Sequence, residues 1–204
     1  MVEHDGDSRQ RTLDAAAELF AEHGFHGTKV GQIAARAGVS QALIYYNFSS
    51  KAEILDELLA TFRTDLADAF DQIYTARDDR THYGRWEPDE IRAGLHFFER
   101  NRAVLTTLLV ESLKTGERPG GLVKLWDDLN RDVRERLLAE RGFELHEGGG
   151  ERDLVDFFFV FVPALLYAVL GEEWRTVHGY EEKEVDRDFG TILNAVYRRF
   201  LEAT

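Results

Sequence analysis

Side chains able to carry covalent or acid–base chemistry are thinly spread in this chain of 204 residues. Cysteine is absent, which removes disulfides, thiolate nucleophiles and thiolate metal sites. No Gly-x-Ser-x-Gly elbow, phosphate-binding glycine loop or His-Glu-x-x-His pair occurs. His23 and His26 stand three apart, but they flank Gly24 at a helix end, a poor frame for a metal. Glu172-Glu173 and Glu181-Glu182 read as solvated faces rather than paired acids. The chain is therefore expected to be no enzyme and to need neither metal nor cofactor, with an all-α enzyme or a helical scaffold as the alternative.

The chemistry of recognition is better supplied. Val30, Ile33, Ala34 and Ala37 repeat at helical spacing up to Gly38, and a second short helix begins after Ser40 and reaches about Tyr46. Gly38 tolerates the positive φ that a tight turn demands, Val39 is an apolar plug between the helices, and Ser40 caps the second helix. This is the form of a helix-turn-helix, whose second helix presents its N-terminal residues to a major groove. An ordinary helical hairpin has the same outline.

The surrounding residues go further. The run Leu13-Asp-Ala-Ala-Ala-Glu-Leu-Phe20, then Gly24-Phe25-His26-Gly27-Thr28, Ile33-Ala34, Ala37-Gly38-Val39-Ser40, Ile44-Tyr45-Tyr46-Asn47-Phe48 and Lys51 resembles the DNA-binding domain of the tetracycline-repressor (TetR) family. The resemblance implies a recognition helix over Gln41–Tyr46, with Gln41 and Ala42 at its exposed end. A glutamine can pair with adenine through two hydrogen bonds, and an alanine can touch a thymine methyl. It also implies DNA-contacting or supporting roles for Thr28, Tyr45, Tyr46, Asn47 and Lys51, the last beside a helix N-terminus that suits phosphate. Tyr45 serves equally well as a packing residue. Lys29 stands where many members have Ser or Thr, so the cap of the preceding helix either moves to Thr28 or is lost; its charge is offered to phosphate or to solvent. Leu43 either reads a thymine methyl or tucks against the following helix.

These residues need helices to hold them. Leu13, Ala16, Ala17 and Phe20 form a stripe on a helix from about Arg9 to His23, closed by Gly24. Residues 1–8 read as a disordered tail with no secretory signal. Ser50 and Glu53 form a capping box that opens a helix from 51 to about 75, carrying Ile54, Leu58, Phe62, Leu66, Phe70 and Ile73. A polar loop over 75–88, helices near 88–100, 102–114 and 122–141, a break at Gly116–Gly121, a glycine turn over Glu147–Glu151, and helices near 152–171 and 183–202 complete the chain. The expected fold is all-α with about nine helices: a helix-turn-helix domain over 9–52 and an effector-binding and dimerisation body over 53–204, joined by the helix from 51 to about 75.

Net charge sharpens this division. The chain stands at −13, which taken whole would repel nucleic acid. From His23 to Ala52, however, Lys29, Arg36 and Lys51 are unopposed by any Asp or Glu, so the acids lie elsewhere.

The body is read more coarsely. Leu154–Leu170 is apolar nearly all round and, at 17 residues with Asp156 and Pro163 inside, falls short of a membrane span. Such a helix must be buried on more than one side. Either it is an intramolecular core helix, or it meets a second subunit. The resemblance implies the latter, a homodimer built through Phe157 and Leu165 with Val185, Phe189, Ile192, Val196 and Phe200 of the last helix, reading a palindromic operator in double-stranded DNA. It also implies an effector cavity, for which His96, Phe97, Leu105, Leu109, Trp126, Asn130, Phe158 and Phe161 are candidates. The aromatic residues among them serve equally well as core. The expected function is a cytoplasmic DNA-binding transcriptional regulator, a repressor released by a small hydrophobic or aromatic effector.

Overall fold

The computed structural model describes residues 3–75, 87–113, 121–141 and 151–201. All secondary structure among them is helical: α1 (Glu3–Gly27), α2 (Val30–Ala37), α3 (Gln41–Asn47), α4 (Lys51–Thr75), α5 (Pro88–Arg100), α6 (Arg102–Leu113), α7 (Gly121–Arg141), α8 (Glu151–Val155), a π-helical segment (Asp156–Phe161), α9 (Val162–His178) and α10 (Glu182–Leu201). The fold is all-α, as the patterning requires. Residues 76–86 of the expected loop, 116–120 of the expected break and 147–150 of the expected glycine turn lie outside the described residues.

The helices form two compact units. One holds residues up to Asp65 together with Ala103–Leu125, and the other holds Leu66–Arg102 together with residues from Trp126 onward. Helix α6 thus belongs with the helix-turn-helix, not with the body expected after residue 52. One link is visible in charge: His26 Nε2 lies 3.6 Å from the carboxylate of Glu111, which is itself largely buried.

In the first unit, α1, α2, α3 and the start of α4 share one core. Leu13, Ala16, Leu19 and Phe20 of α1 meet Ile33, Ala34 and Ala37 of α2, Ile44 of α3, and Phe48, Ile54 and Leu55. Helix α1 starts well before Arg9, so residues 3–8 are helical rather than tail. Ser8 is buried, and its carbonyl accepts the Thr12 hydroxyl at 2.8 Å. Gly24, at φ 73°, ends the regular run where the sequence placed its stop.

The turn between α2 and α3 is a Schellman motif. Gly38 adopts φ 67°, its N–H donates to Ala35 O at 3.4 Å, and Val39 N–H donates to Ala34 O at 3.0 Å. The Val39 side chain packs against the core beside it. Ser40 then caps α3, its Oγ accepting Leu43 N–H at 3.1 Å. Ser40→Ala is expected to cost about 1 kcal/mol of stability, measurable as a lower midpoint in urea unfolding with an unchanged slope. At α4 only half of the expected capping box forms. Ser50 Oγ accepts Glu53 N–H at 3.2 Å, but the Glu53 carboxylate accepts Ser49 N–H at 2.6 Å instead of reaching Ser50. Hydrogen bonds from the Ser49 hydroxyl and then the Ser49 N–H hold the Glu53 carboxyl below the usual carboxylate range.

In the second unit, the apolar helix over residues 152–171 runs on to His178. It contains a π-helical stretch, in which Val162 N–H donates to Phe157 O, just before Pro163. A proline removes one N–H and crowds the preceding turn, and a wider turn absorbs both effects. Taken with its extension, Asp153–His178 is long and apolar enough to cross a membrane by length and composition, at a mean hydropathy of 2.2. Here its inner stripe, Phe161, Ala164, Leu165 and Ala168, is buried, and α9 packs on α5 and α10. A polar network pins the same helix. The Tyr167 hydroxyl donates to Asp186, and Arg175 lies 3.6 Å from Asp186 and 3.7 Å from Glu99. Burial, reinforced by the bond to Asp186, pushes the Tyr167 phenol well above its ordinary value.

Candidate nucleic-acid interface

Helix α3 is seven residues long, and Ile44 is its one buried residue. Gln41, Ala42, Tyr45 and Tyr46 are exposed, and Leu43 is half-buried. Two of these are large aromatics: Tyr45 is 55% exposed and Tyr46 75%. Burying their rings would be favourable, so two large aromatics left in water on a short capped helix make this face a candidate contact surface.

Lys29 lies at the start of α2 and is exposed. Its backbone N–H donates to Gln32 Oε1 at 2.8 Å, so the cap comes from Gln32 reaching back. Among the described residues its ammonium has no partner, and it remains available to phosphate.

Three sequence-derived contacts need correcting. Thr28 is buried at 1% exposure, and its hydroxyl donates back to Leu19 O and Gly24 O, each at 2.9 Å. It neither caps α2 nor faces outward; it fixes the α1–α2 junction. Asn47 keeps Nδ2 out of solvent and without a hydrogen-bond partner. That side-chain donor is therefore not presented to a phosphate oxygen as it stands. Lys51 turns inward, donating to Phe25 O at 2.5 Å and Thr28 O at 2.7 Å, with its nitrogen 4.4 Å from the centre of the Phe25 ring. Burial pulls its pKa below the ordinary lysine value, against the pull of Glu111. The ammonium ties the junction to α4 instead of standing free at a helix end.

The positive island is correspondingly quieter than its sequence. Arg36 is held by Glu18 at 2.7 Å and by Glu22 at 3.2 Å, both from α1. The Arg36 hydrogen bond keeps the Glu22 carboxyl below its ordinary value. With Arg36 paired and Lys51 turned inward, Lys29 is the island's free cation among the described residues. Arg11, which the sequence did not single out, lies nearby, its Nη1 3.8 Å from where a β-carbon on Gly38 would stand, but its Nε is paired with Asp7 at 3.3 Å. Binding by this face must therefore lean on shape and side-chain contacts more than on the number of charges.

The second unit contains a cavity of about 310 Å³, lined by Leu66, Phe70, Phe97, Phe98, Trp126, Leu129, Asn130, Asp156, Phe161, Asn194 and Tyr197 among others. Four of the expected residues line it: Phe97, Trp126, Asn130 and Phe161. The other four do not. His96 lies on a separate polar cleft with Arg92, Lys183 and Arg187. Leu105 and Leu109 belong to the first unit, where Leu105 is fully buried. Phe158 is 56% exposed, because the π-helical turn rotates it away from Phe161. Phe70 and Leu66 were visible as apolar positions on α4, but periodicity alone does not mark the end of that helix as cavity wall.

The expected dimer residues also separate. Leu165 is fully buried within its own unit, which removes it from any surface. Phe157 stacks within the internal aromatic group of Trp126 and Phe161. Phe189 lies half-buried on the Tyr167 ring, and Val185 and Phe200 are half-buried. Ile192 and Val196 are exposed. Beside them α9 turns out a second stripe the sequence did not single out, Leu166, Leu170, Trp174 and Val177, with Phe159 ahead of it.

Comparison with known proteins agrees with this geometry. Residues 13–58 match the family described as bacterial regulatory proteins, tetR family. The HTH-type transcriptional repressor KstR2 of Rhodococcus jostii is 43% identical over 70 residues, 33% of this chain and 34% of that protein. The chain thus spans about a third of that relative's length. The HTH-type transcriptional activator FasR of Mycolicibacterium smegmatis is 36% identical over 142 residues, 69% of this chain and 63% of that protein. Among solved structures, a TetR-family transcriptional regulator from Bordetella parapertussis matches with TM-score 0.60 at 20% identity, covering 93% of each chain. At that identity the match speaks for the fold alone.

Proposed function

The chain belongs to the TetR family of bacterial regulators, and from that premise we propose that it is a sequence-specific DNA-binding transcriptional repressor acting as a homodimer in the cytoplasm. The observation that carries this reading is helix α3, a capped helix whose exposed side is Gln41, Ala42, Tyr45 and Tyr46. Gln41 and Ala42 read base edges in the major groove; the tyrosines and Lys29 meet the backbone. The family and fold are those of regulators, so no catalytic role is assigned.

The dimer is formed by the apolar stripe of α9, Leu166 to Val177, with Ile192 and Val196 of α10. A two-fold pair presents two copies of α3 to palindromic half-sites about 34 Å apart. A small hydrophobic or aromatic effector occupies the cavity beside Phe97, Trp126 and Phe161, and Asn130 and Asn194 orient it. Helix α4, which has residues in both units, carries the change to the helix-turn-helix, and the operator is released.

One relative is named a repressor and another an activator, so the sign is the part to test. A reporter placed behind the DNA upstream of this gene should fall when the chain is expressed, and recover when a hydrophobic effector is supplied. A reporter that rises on expression would replace repression with activation.

A further inference from the structure

Gly31, the second residue of α2, has no backbone reason to be glycine. Its φ is not positive, and glycine within a helix is the poorest choice short of proline. The space beside it supplies a reason. A β-carbon on Gly31 would fall 2.6 Å from Gln41 Nε2 and 3.6 Å from Gln41 Cδ, and apart from its chain neighbours and its own helix backbone no other described residue comes within 4 Å. No hydrogen bond among the described residues holds that carboxamide. The Gln41 side chain therefore rests its polar end on the bare backbone of α2, with both its donor and its acceptor unspent.

We infer that Gly31 is a specificity-determining residue for DNA recognition: by lacking a side chain it seats the Gln41 carboxamide for a two-bond pairing with a base. The inference rests on the reading of α3 as the recognition helix. Two hydrogen bonds to one base edge tolerate little displacement, because both must be near-linear at once. An alanine at 31 would force the carboxamide to move by about 1 Å, to ordinary contact distance. The moving part is the free end of a flexible side chain, so the fold need not change. Alanine's higher helix propensity works in favour of stability.

The experiment uses the full chain in four forms: unsubstituted, Gly31→Ala, Gln41→Ala and the double variant. Each selects sequences from a randomised duplex library, and each is melted thermally. Gly31→Ala should lose about tenfold discrimination at the same base position that Gln41→Ala affects. It should melt at or above the original temperature and have no further effect in the Gln41→Ala background. A Gly31→Ala protein that selects the original sequence, acts equally strongly without Gln41, or melts substantially lower would overturn the inference. If the unsubstituted chain selects no sequence at all, the DNA-binding reading itself fails, and this inference with it.

Discussion

Replacing Leu170 and Ile192 together with arginine is expected to convert a dimer into a monomer and to weaken operator binding by on the order of a hundredfold or more. Both side chains are about half exposed or more in a single chain, at 49% and 63%, so neither supports its own unit's core. In a two-fold dimer each substitution counts twice. Four guanidinium groups would then have to enter an apolar contact without partners, at several kcal/mol each. The effect on DNA follows from linkage: two tethered recognition helices gain roughly 10²–10⁴ in avidity over one, and a monomer forfeits that factor. Sedimentation should report the mass of one chain, and thermal melting should show a folded monomer. A variant that stays dimeric would place the interface elsewhere; a monomer with undiminished operator affinity would remove the need for a dimer.

Gln41→Ala is expected to weaken specific binding by about 1–3 kcal/mol, since one two-bond base contact is lost. Binding to unrelated DNA should hardly change, because Gln41 carries no charge. The dependence of affinity on salt should keep its slope. Lys29→Ala should behave in the opposite way, lowering the slope by about one while leaving sequence preference intact. Titrations of specific and unrelated duplexes at several salt concentrations separate the two. Equal loss on both DNAs for Gln41→Ala would make it a backbone contact and not a reader.

Much of the recognition domain was legible because its signals are local. Gly38, Val39 and Ser40 fix a Schellman turn and an N-cap within five residues of each other, and local hydrogen bonding is enough to specify both. Gln41 and Ala42 were placed at the exposed end of the helix with Ile44 inward, as found; Tyr45, equally open to packing from the sequence, is exposed. What was not legible depends on partners distant in sequence. Arg36 counted as a free cation until Glu18 and Glu22, 18 and 14 residues away, proved to hold it. A threonine before a helix looks the same whether it caps forward or bonds back to Leu19, and Thr28 bonds back. Lys51 turned inward onto the carbonyls of Phe25 and Thr28, 26 and 23 residues away in sequence.

The body was harder for a different reason. A helix apolar all round does not reveal which stripe is internal, and one residue of rotation decides it. Leu165 is fully buried while Leu166 is exposed, and the π-helical turn shifts Phe158 outward against Phe161. Cavity walls are drawn from several helices at once, so Phe97 and Trp126 could be named individually, but Leu66 and Phe70 could not be assigned to the same space.

The central claim is that a pair of these chains reads a defined DNA sequence through α3. A hydroxyl-radical footprint of the full chain on the DNA upstream of its own gene tests it most directly. The expected pattern is two protected half-sites related by two-fold symmetry, their centres about one helical turn, or a whole multiple, apart, with protection by Gln41→Ala needing roughly 5–150-fold more protein. The absence of any bounded protection from low to physiological salt, with and without hydrophobic ligands, would contradict it.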